Sequence, residues 1–321
     1  MSMSSRRKLG IIGCGTVVQR NYLSALKFYP EIHLAYVNDL NSAACSRVAA
    51  LSGAEAASVE QIQEECEIVV IATPPSTHAA LIDAFSASGR TVICEKPFVG
   101  NRRQAEHAVE TANSNNCKLF VAHFRRCFPS VRLGRAVIES GVLGEVVKMS
   151  AYEGGRFSWQ TESGYVYNDP LGGVLFDTGS HTLDMLLYVA GMDSGNMQVA
   201  SVRTDRDCAE PSHDVEAEVL LSYGHRTIPG NFKFSRTAPN ANKLRIECQN
   251  GFLELPVGMA DYVRLGGRDG KTVIVYARES YADLMDCFAV QFKQMFFHDR
   301  KGTFSAEKFI NLVTVLEALN D

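Results

Sequence analysis

The sequence predicts a two-domain α/β protein, in which a doubly wound parallel sheet is followed by a domain built on a second sheet. Strands and helices alternate from residue 8 to residue 123, and strand-like runs outnumber helices from about residue 145 onward. The first pattern is typical of a parallel sheet with helices on both faces. The length of 321 residues suits two domains of about 150 residues each.

Local signals divide the first half into elements. We expect strands at 8–12, 32–38, 67–73, 91–94 and 118–122, and helices at 17–28, 41–51, 78–88 and 102–114. The run Ile68-Val69-Val70-Ile71-Ala72 has the composition of a strand that is buried on both faces. Asn41 and Gly53 are residues that typically start and end a helix.

Hydrophobicity in the second half has the two-residue period of a sheet with one solvent-exposed face. Apolar and polar side chains alternate from residue 214 to residue 223, with Leu220 as the exception. Asn250-Gly251 between two strand-like runs predicts a hairpin turn. Helical stretches near 281–297 and 305–319 close the chain. We assign residues 1–125 to the first domain and residues 126–321 to the second, with a crossover helix near 130–139.

The composition excludes several classes of protein. There are 32 basic and 36 acidic residues, and the net charge of −4 does not suggest a nucleic-acid binder. The apolar runs are too short to span a bilayer, and no signal peptide is visible. The nine cysteines are scattered without a C-x-x-C pair. This favours reduced thiols in a cytoplasmic protein, with neither a disulfide framework nor a metal site.

A glycine-rich turn, Gly13-Cys14-Gly15-Thr16-Val17-Val18, follows the first strand. The two glycines permit a tight turn and let backbone N–H groups approach a pyrophosphate at the start of the next helix. Val18 stands in place of the usual third glycine, so we expect somewhat looser packing of the helix on the strand. An ordinary turn is the alternative, but the strand–turn–helix setting favours a dinucleotide site.

Asp39 ends the second strand, 24 residues after Gly15. A carboxylate there accepts hydrogen bonds from the adenosine ribose and repels a 2′-phosphate, so it favours NAD over NADP. No arginine follows to receive a phosphate. The alternative is an aspartate that only stabilises a turn or a helix start.

Two loops follow neighbouring strands of the predicted parallel sheet. The first contains Thr73, Pro74 and His78, and the second contains Glu95-Lys96-Pro97. Ligands of open α/β sheets bind at the carboxyl ends of the strands, where both loops lie. Lys96 is therefore expected at the edge of a cleft, although a lysine before proline is more often an ordinary surface charge.

A glycine pair at 172–173 precedes a predicted helix from Asp177 to Ala190, which Gly191 ends. Asp177, His181, Asp184 and Tyr188 form one polar stripe on this otherwise apolar helix. An aspartate one turn from a histidine is a sensible acid–base pair, in which the carboxylate orients the imidazole. The alternative is a capping aspartate and a satisfied core histidine.

Together these motifs resemble the glucose–fructose oxidoreductase/inositol dehydrogenase (Gfo/Idh/MocA) family. The specific parts are E-K-P and D-x-G-S-H-x-x-D, and the match runs from about residue 8 to the C-terminus. The resemblance implies an N-terminal Rossmann domain and a C-terminal α+β domain with a large, mostly antiparallel open sheet. It also implies that the open face pairs subunits into homodimers or homotetramers, and that the Lys96–Pro97 bond is cis.

The resemblance assigns roles to individual residues. Lys96, Asp177 and His181 match the family's catalytic residues. The cofactor-binding residues that we expect from motif and resemblance together are Gly13, Gly15, Thr16, Val17, Asp39, Thr73, Pro74, His78, Glu95 and Lys96. In this interpretation His181 takes a hydroxyl proton, Lys96 stabilises the developing alkoxide, and Asp177 holds His181 in its working tautomer.

A polyhydroxylated small molecule is the expected substrate. Tyr152, Arg156, Trp159 and Asn168 precede the glycine pair and suit a sugar ring, with aromatic faces below it and hydrogen bonds at its rim. Arg156 alternatively receives a carboxylate or a phosphate, and the whole stretch is alternatively a surface loop.

We therefore expect an NAD-dependent dehydrogenase of a sugar, cyclitol or sugar derivative. One alternative is an oxidoreductase that retains NADP tightly. Another is a non-catalytic dinucleotide-binding sensor.

Overall fold

The structure is a computed structural model that describes residues 6–86, 89–156, 163–209, 211–297 and 302–321. Its first half contains a six-stranded parallel sheet in the order β3-β2-β1-β4-β5-β6. The strands are β1 (Arg7–Ile12), β2 (Ile32–Asn38), β3 (Glu55–Ala56), β4 (Ile68–Ile71), β5 (Thr91–Glu95) and β6 (Lys118–Ala122). The predicted Rossmann topology is confirmed.

Helices cover both faces of this sheet. They are α1 (Leu23–Leu26), α2 (Ser42–Ser52), α3 (Val59–Glu65), α4 (His78–Ser86) and α5 (Arg102–Ser114). The Asn41 side chain accepts hydrogen bonds from the first turn of α2, and Gly53 ends that helix in the left-handed conformation. The short elements α3 and β3 were not expected, because neither has a distinct periodic pattern.

The second half is built on an eight-stranded sheet in the order β14-β13-β12-β11-β7-β10-β9-β8. The strands are β7 (Val146–Gly154), β8 (Met197–Arg206), β9 (Asp214–Tyr223), β10 (Arg226–Ser235), β11 (Lys243–Cys248), β12 (Gly251–Pro256), β13 (Tyr262–Gly267) and β14 (Thr272–Tyr276). Only β7 and β10 pair in parallel. The mostly antiparallel sheet is thus confirmed, as is the hairpin at Asn250-Gly251.

One face of the second sheet is covered by helices, while its other face is more exposed. Along β9, the residues at 215, 217, 219 and 221 are buried, and the intervening ones are exposed or half-buried. The remaining helices are α6 (Pro129–Glu139), α7 (Tyr165–Asn168), α8 (Ser180–Val189), α9 (Leu284–Phe297) and α10 (Ile310–Asn320).

The C-terminal segment reaches back to the first sheet. Tyr22 packs edge to face against Phe288 and Phe292 of α9, and Ser305 forms a β-bridge with Phe120 of β6. The boundary near residue 125 stays a prediction, because elements from the end of the chain complete the packing of the first half. α6 lies where we expect the crossover helix.

The fold brings strand ends and one helix together. The carboxyl ends of β1, β4 and β5 share one edge of the first sheet, since parallel neighbours point the same way. α8 and the helical turn before it face this edge from the second half, with Asp177 bonded to Lys96. The cleft between the two halves therefore holds the loops that the sequence singles out.

Candidate active site

The glycine turn after β1 leaves room for a phosphate group. Gly13 has φ +96°, and a Cβ there would lie 2.4 Å from the carbonyl oxygen of Ala72, so only glycine fits. A Cβ on Gly15 would meet nothing within 4 Å. The open side at Gly15 fits a pyrophosphate, with Thr16 and Val17 opening the next helix. Val18 is part of that helix, and its side chain is fully buried.

Asp39 lies beside this turn. Its Oδ2 accepts the backbone N–H of Cys14 at 2.6 Å, and its Oδ1 accepts the N–H of Asn41 at 2.7 Å. The carboxylate therefore stabilises a local turn, which is the structural alternative named above. It also adjoins the glycine turn, where a ribose-binding acid is required, so the two roles are compatible.

His78 connects the two loops at the ends of β4 and β5. Its ring is fully buried, with Nε2 3.0 Å from the Thr73 carbonyl and Nδ1 2.9 Å from the Pro97 carbonyl. Burial lowers the pKa of this histidine. Thr73 and Pro74 remain half-buried at the cleft. His78 is thus placed to hold the loops, while Thr73 and Pro74 are placed to contact a ligand.

Glu95 lies under the helical segment that follows the glycine turn. It accepts a hydrogen bond from the Tyr22 hydroxyl and another, at 2.9 Å, from the backbone N–H of Lys96. Burial raises the pKa of this carboxyl. The Lys96–Pro97 peptide bond is cis, as expected. Glu95 therefore ties the first helical turn to the loop that carries Lys96.

The centre of the cleft is a four-residue cluster around Asp177. Lys96 Nζ donates to Asp177 Oδ1 at 2.7 Å, and the Tyr165 hydroxyl donates to the same oxygen at 3.0 Å. Arg236, directly after β10, donates to Oδ2 at 2.6 Å. Residues from both sheets therefore meet at one carboxylate, with two cations for one anion.

The charges of the cluster support one another. Burial opposes the charge on Lys96, but Asp177 outweighs it and raises the pKa of the ammonium group above its ordinary value. Burial likewise opposes the charge on Asp177, yet Lys96 and Arg236 lower the pKa of that carboxyl. Burial raises the pKa of Tyr165 to about 12. At neutral pH the cluster thus contains an ammonium, a guanidinium, a carboxylate and a neutral phenol.

His181 makes contacts outside the Asp177 cluster. Its imidazole meets the Phe124 ring edge to face at 5.3 Å between centroids, and it is largely buried. Burial, followed by the charges of Lys96 and Arg125, lowers its pKa well below the ordinary value. Among the described residues, its Nδ1 has no hydrogen-bond partner.

The expected orientation of His181 by Asp177 is not present. Both carboxylate oxygens of Asp177 are bonded to Lys96, Tyr165 and Arg236, as described above. The helix also differs from the prediction, because Leu175–Gly179 forms a wider π-helical turn and α8 begins only at Ser180. This turn changes the angular phase between Asp177 and the residues that follow it.

A second polar group lies next to His181. Arg125 makes a two-pronged ion pair with Glu153 of β7, at 2.8 and 3.0 Å. Glu153 also accepts a hydrogen bond from the hydroxyl of Thr182, the residue after His181. This pair supplies both donors and acceptors beside the cleft.

Comparison with known proteins relates this site to others. Residues 7–123 match the family model for an oxidoreductase family with an NAD-binding Rossmann fold, and residues 131–254 match the GFO/IDH/MocA C-terminal domain. The chain belongs to the GFO/IDH/MocA family. It is accordingly an NAD(P)-dependent oxidoreductase, as its glycine turn and two-sheet architecture indicate.

Individual GFO/IDH/MocA proteins are distant in sequence. Inositol 2-dehydrogenase of Rhizobium meliloti (strain 1021) is 26% identical over 245 residues, which cover 75% of this chain and 72% of the relative. A levoglucosan dehydrogenase in complex with NADH and L-sorbose superposes with a TM-score of 0.79 at 17% identity, over 97% of this chain and 96% of the other. A 3-ketoreductase from Actinomadura kijaniata in complex with NADP gives 0.73 at 19% identity, over 98% and 96%.

The predicted substrate residues of this GFO/IDH/MocA chain that the structure describes do not bond to the Asp177 carboxylate, whose described partners are Lys96, Tyr165 and Arg236. Tyr152 neighbours Glu153 on β7, so its side chain points to the opposite face of the sheet. Arg156 and Asn168 are exposed. Asn168 lines a cavity of about 440 Å³ whose described lining does not include Lys96. Trp159 lies outside the described residues.

Two residues of the cluster were missing from the predicted set. Tyr165 lies in the stretch that we considered for substrate binding, but nothing local distinguishes its hydroxyl from that of Tyr167. Arg236 carries no motif, and a charge directly after a strand was the only available signal. Among the described residues, no group of three metal-binding side chains is present, and none of the described helices is long and apolar enough to cross a membrane.

Proposed function

We propose that the chain uses NAD to interconvert a hydroxyl and a keto carbon of a sugar, cyclitol or sugar derivative. The observation that carries this proposal is the Lys96–Asp177 ion pair, 2.7 Å long, at the end of β5 and close to His181. A fixed ammonium group beside a neutral imidazole suits the removal of a proton from an alcohol.

Some of the proposed cofactor-binding residues contact the dinucleotide, and the others hold the binding loops in place. Gly13, Gly15, Thr16 and Val17 hold the pyrophosphate, and Asp39 accepts hydrogen bonds from the adenosine ribose. Thr73 and Pro74 flank the nicotinamide, while His78 and Glu95 fix the loops behind it. When bound, the dinucleotide supplies the acceptor or donor of the hydride.

Lys96 stabilises negative charge on the substrate oxygen. The ammonium group donates to Oδ1 of Asp177 at 2.7 Å and to its backbone carbonyl at 3.3 Å, which leaves one proton for the oxygen of the substrate. Because Asp177 raises the pKa of Lys96, the group stays charged across the physiological range. A fixed charge of this kind does not have to reorganise while an alkoxide develops.

His181 accepts or returns the hydroxyl proton. Burial keeps its pKa well below the ordinary value, so the imidazole is neutral at pH 7 and has a lone pair available. Arg125 and Glu153 lie beside it and offer hydrogen bonds to further hydroxyl groups. Arg156, Trp159 and Asn168 remain predicted substrate contacts.

The proposed function is tested by cofactor titration and a substrate panel. NAD(H) and NADP(H) are titrated calorimetrically, and sugars, cyclitols and nucleotide-linked sugars are then screened at the nicotinamide absorbance. We expect tighter binding of NAD(H) and turnover of at least one ring alcohol. Binding without any turnover would favour a sensor, and tight NADP retained through purification would favour the alternative oxidoreductase.

Substitution of Asp39 tests the proposed preference for NAD over NADP. Asp39→Ala is expected to weaken NAD binding about tenfold, which is about 1.4 kcal/mol, and to narrow the discrimination against NADP. Asp83→Ala, which changes a half-buried aspartate on α4 that lies 3.4 Å from His107, is the control. Unchanged affinity for both dinucleotides would remove Asp39 from the site.

We also propose a cytoplasmic homodimer or homotetramer that pairs through the open face of the second sheet. Side chains of both signs alternate there, as in the Lys233–Glu216 and Lys243–Glu254 pairs. Eight of the nine cysteines are buried and all are free thiols, as expected in a reducing compartment. Light scattering measures the mass, and a monomer would contradict the assembly.

A further inference from the structure

A second histidine is buried directly behind His181. His123 follows β6 and is fully buried. Its ring stacks on Phe309, with 5.0 Å between centroids, and meets the His181 ring edge to face, at 5.7 Å and 81°. The proposed chemistry does not use this residue.

The two rings share an unusual feature. Both nitrogens of His123 and Nδ1 of His181 are buried without a hydrogen-bond partner among the described residues. Buried polar atoms in proteins are nearly always hydrogen-bonded, and exceptions occur at catalytic sites. Three such atoms on two adjacent rings therefore point to a contact that forms during catalysis.

His123 also lies close to the carboxylate of Asp184. His181 and Asp184 are three residues apart on α8, so they lie on one face of the helix, and His123 contacts both. Asp184 Oδ2 is 3.5 Å from His123 Nδ1. Arg126 fixes this carboxylate, with Nε 3.0 Å from each oxygen and Nη2 2.6 Å from Oδ1.

This arrangement selects one tautomer of His123. The negative charge of Asp184, 3.5 Å from Nδ1, favours a proton on that nitrogen although the two atoms form no hydrogen bond, and this leaves Nε2 as an acceptor. Burial lowers the pKa of His123 well below its ordinary value, so the ring is neutral. Burial raises the pKa of Asp184 to about 6, so this carboxyl is ionised at neutral pH.

We propose that His123 is a positioning residue for His181, whose Nδ1 proton it accepts at Nε2 in the catalytic complex. The proposal rests on the proposed role of His181 as the base. The hydroxyl proton moves from the substrate to Nε2 of His181, while the Nδ1 proton stays shared between the two rings. The two ring centroids are 5.7 Å apart in the structure, and catalytic hydrogen bonds often tighten only when substrate binds.

The surrounding charges explain why such support is needed. Lys96, Arg125 and Arg126 are cations close to the two rings, and each opposes a positive charge on His181 or His123. Asp177 is bonded to Lys96, Tyr165 and Arg236. Glu153, beside His181, is bound by Arg125 at 2.8 and 3.0 Å. Asp184 is thus the carboxylate that acts on His181 through His123.

The test is His123→Phe, which preserves the stacking on Phe309 and removes both nitrogens. We expect kcat to fall at least tenfold with KM within twofold of the wild type. The acid limb of the kcat profile should move to lower pH, because His181 loses support for its proton. His123→Gln, whose amide oxygen accepts a hydrogen bond, should recover part of kcat, and it carries the test if the Phe variant does not fold.

A second readout separates this proposal from the proposed function. The side-chain ¹⁵N shifts of His181 report which nitrogen carries the proton, without any turnover. We expect the Nδ1–H tautomer in the wild type and a mixture in His123→Phe. Phe309→Leu removes the ring that contacts His123 and Arg126 but keeps both nitrogens of His123 and all hydrogen bonds of Arg126 to Asp184, so it should leave the tautomer and the pH profile unchanged.

Two results would have different meanings. Unchanged kcat, pH profile and His181 tautomer in a stably folded His123→Phe variant would overturn the role of His123. Full activity of His181→Asn would instead overturn the proposed base, whatever the ¹⁵N spectra of His123→Phe show.

Discussion

Asp177 and Asp184 lie seven residues apart and are each bound by arginine, yet they lie in opposite surroundings. The Asp177 side chain is 14% exposed and shares its oxygens with Lys96, Tyr165 and Arg236 at the cleft. The Asp184 side chain is 1% exposed, and its Arg126 partner is completely buried. The same carboxylate–guanidinium chemistry therefore occurs at the cleft in one place, where we propose that Asp177 orients Lys96, and in the interior in the other, where Arg126 holds Asp184 beside His123.

The partners of the two carboxylates account for the difference. Arg126 also binds Asp193 and the carbonyls of Thr303 and Lys308, and its guanidinium lies 4.0 Å from the Phe309 ring centroid. It thus connects α8 to the end of the chain. The Asp177 cluster instead joins the two sheets across the cleft and includes the Lys96 ammonium group. Access to the cleft, rather than the kind of ion pair, distinguishes the two carboxylates.

The largest expected effect comes from Arg126→Met. It leaves Asp184 without its guanidinium in a fully buried site, which typically costs about 3–5 kcal/mol of unfolding free energy. Urea denaturation measures the loss. Arg135→Met, which removes the half-buried partner of Asp193, is the control and should cost about 1 kcal/mol. An equal loss of unfolding free energy in both variants would mean that the fully buried Arg126 contributes no more to stability than the half-buried Arg135.

Lys96→Met is expected to reduce turnover while it leaves stability nearly unchanged, which is the reverse of Arg126→Met. Turnover should fall about 10²–10³-fold, because a fixed donor to the developing oxyanion is lost, while the dinucleotide Kd stays within about threefold. Asp177 keeps Arg236 and Tyr165, so we expect little change in the urea midpoint. Lys271→Met, in an exposed pair with Asp269 at a turn, is the matched control. Wild-type turnover would remove Lys96 from the mechanism.

The smallest effect is a difference in pH dependence. The folded-state pKa of Asp177 lies below its ordinary value of 3.8, so its stabilisation is complete above that pH and is lost as the pH falls further. The pKa of Asp184 is raised to about 6, so lowering the pH from 6 toward 3.8 stabilises the fold through this group. The stability gap between wild type and Asp177→Asn should shrink only below pH 3.8, whereas the gap for Asp184→Asn should grow between pH 6 and 4. Parallel slopes would show that the two carboxylates titrate alike.

Elements with strong local patterns were predicted well from the sequence. The helix at Arg102–Ser114 and the strands at Lys118–Ala122 and Asp214–Tyr223 have the predicted bounds, because caps and periodicity are encoded within a few residues. The motifs also indicated that Lys96 and Asp177 belong to one site. Their contact depends on the packing of two sheets and is visible only in the structure.

Other features depend on long-range geometry. The predicted polar stripe required an uninterrupted α-helix, but the π-helical turn at Leu175–Gly179 rotates Asp177 relative to the residues that follow. Asp184 lies in a buried cluster with Arg126 and Asp193. Arg236 reaches Asp177 because of the register of β10 against β7, which no local motif encodes. Tyr152 has the residue type of a sugar-binding side chain, yet the alternation along β7 directs it away from the cleft.

Ser76 lies in the loop between β4 and α4, close to Thr73 and Pro74, and its hydroxyl donates to Asp169 of the second half at 2.6 Å. The backbone N–H of Ser76 donates to the same oxygen at 3.3 Å. The loop that carries Thr73 and Pro74 is thus bonded to the segment that carries Tyr165. If the dinucleotide changes the affinity for the substrate by some factor, thermodynamic linkage requires that the substrate change the affinity for the dinucleotide by the same factor.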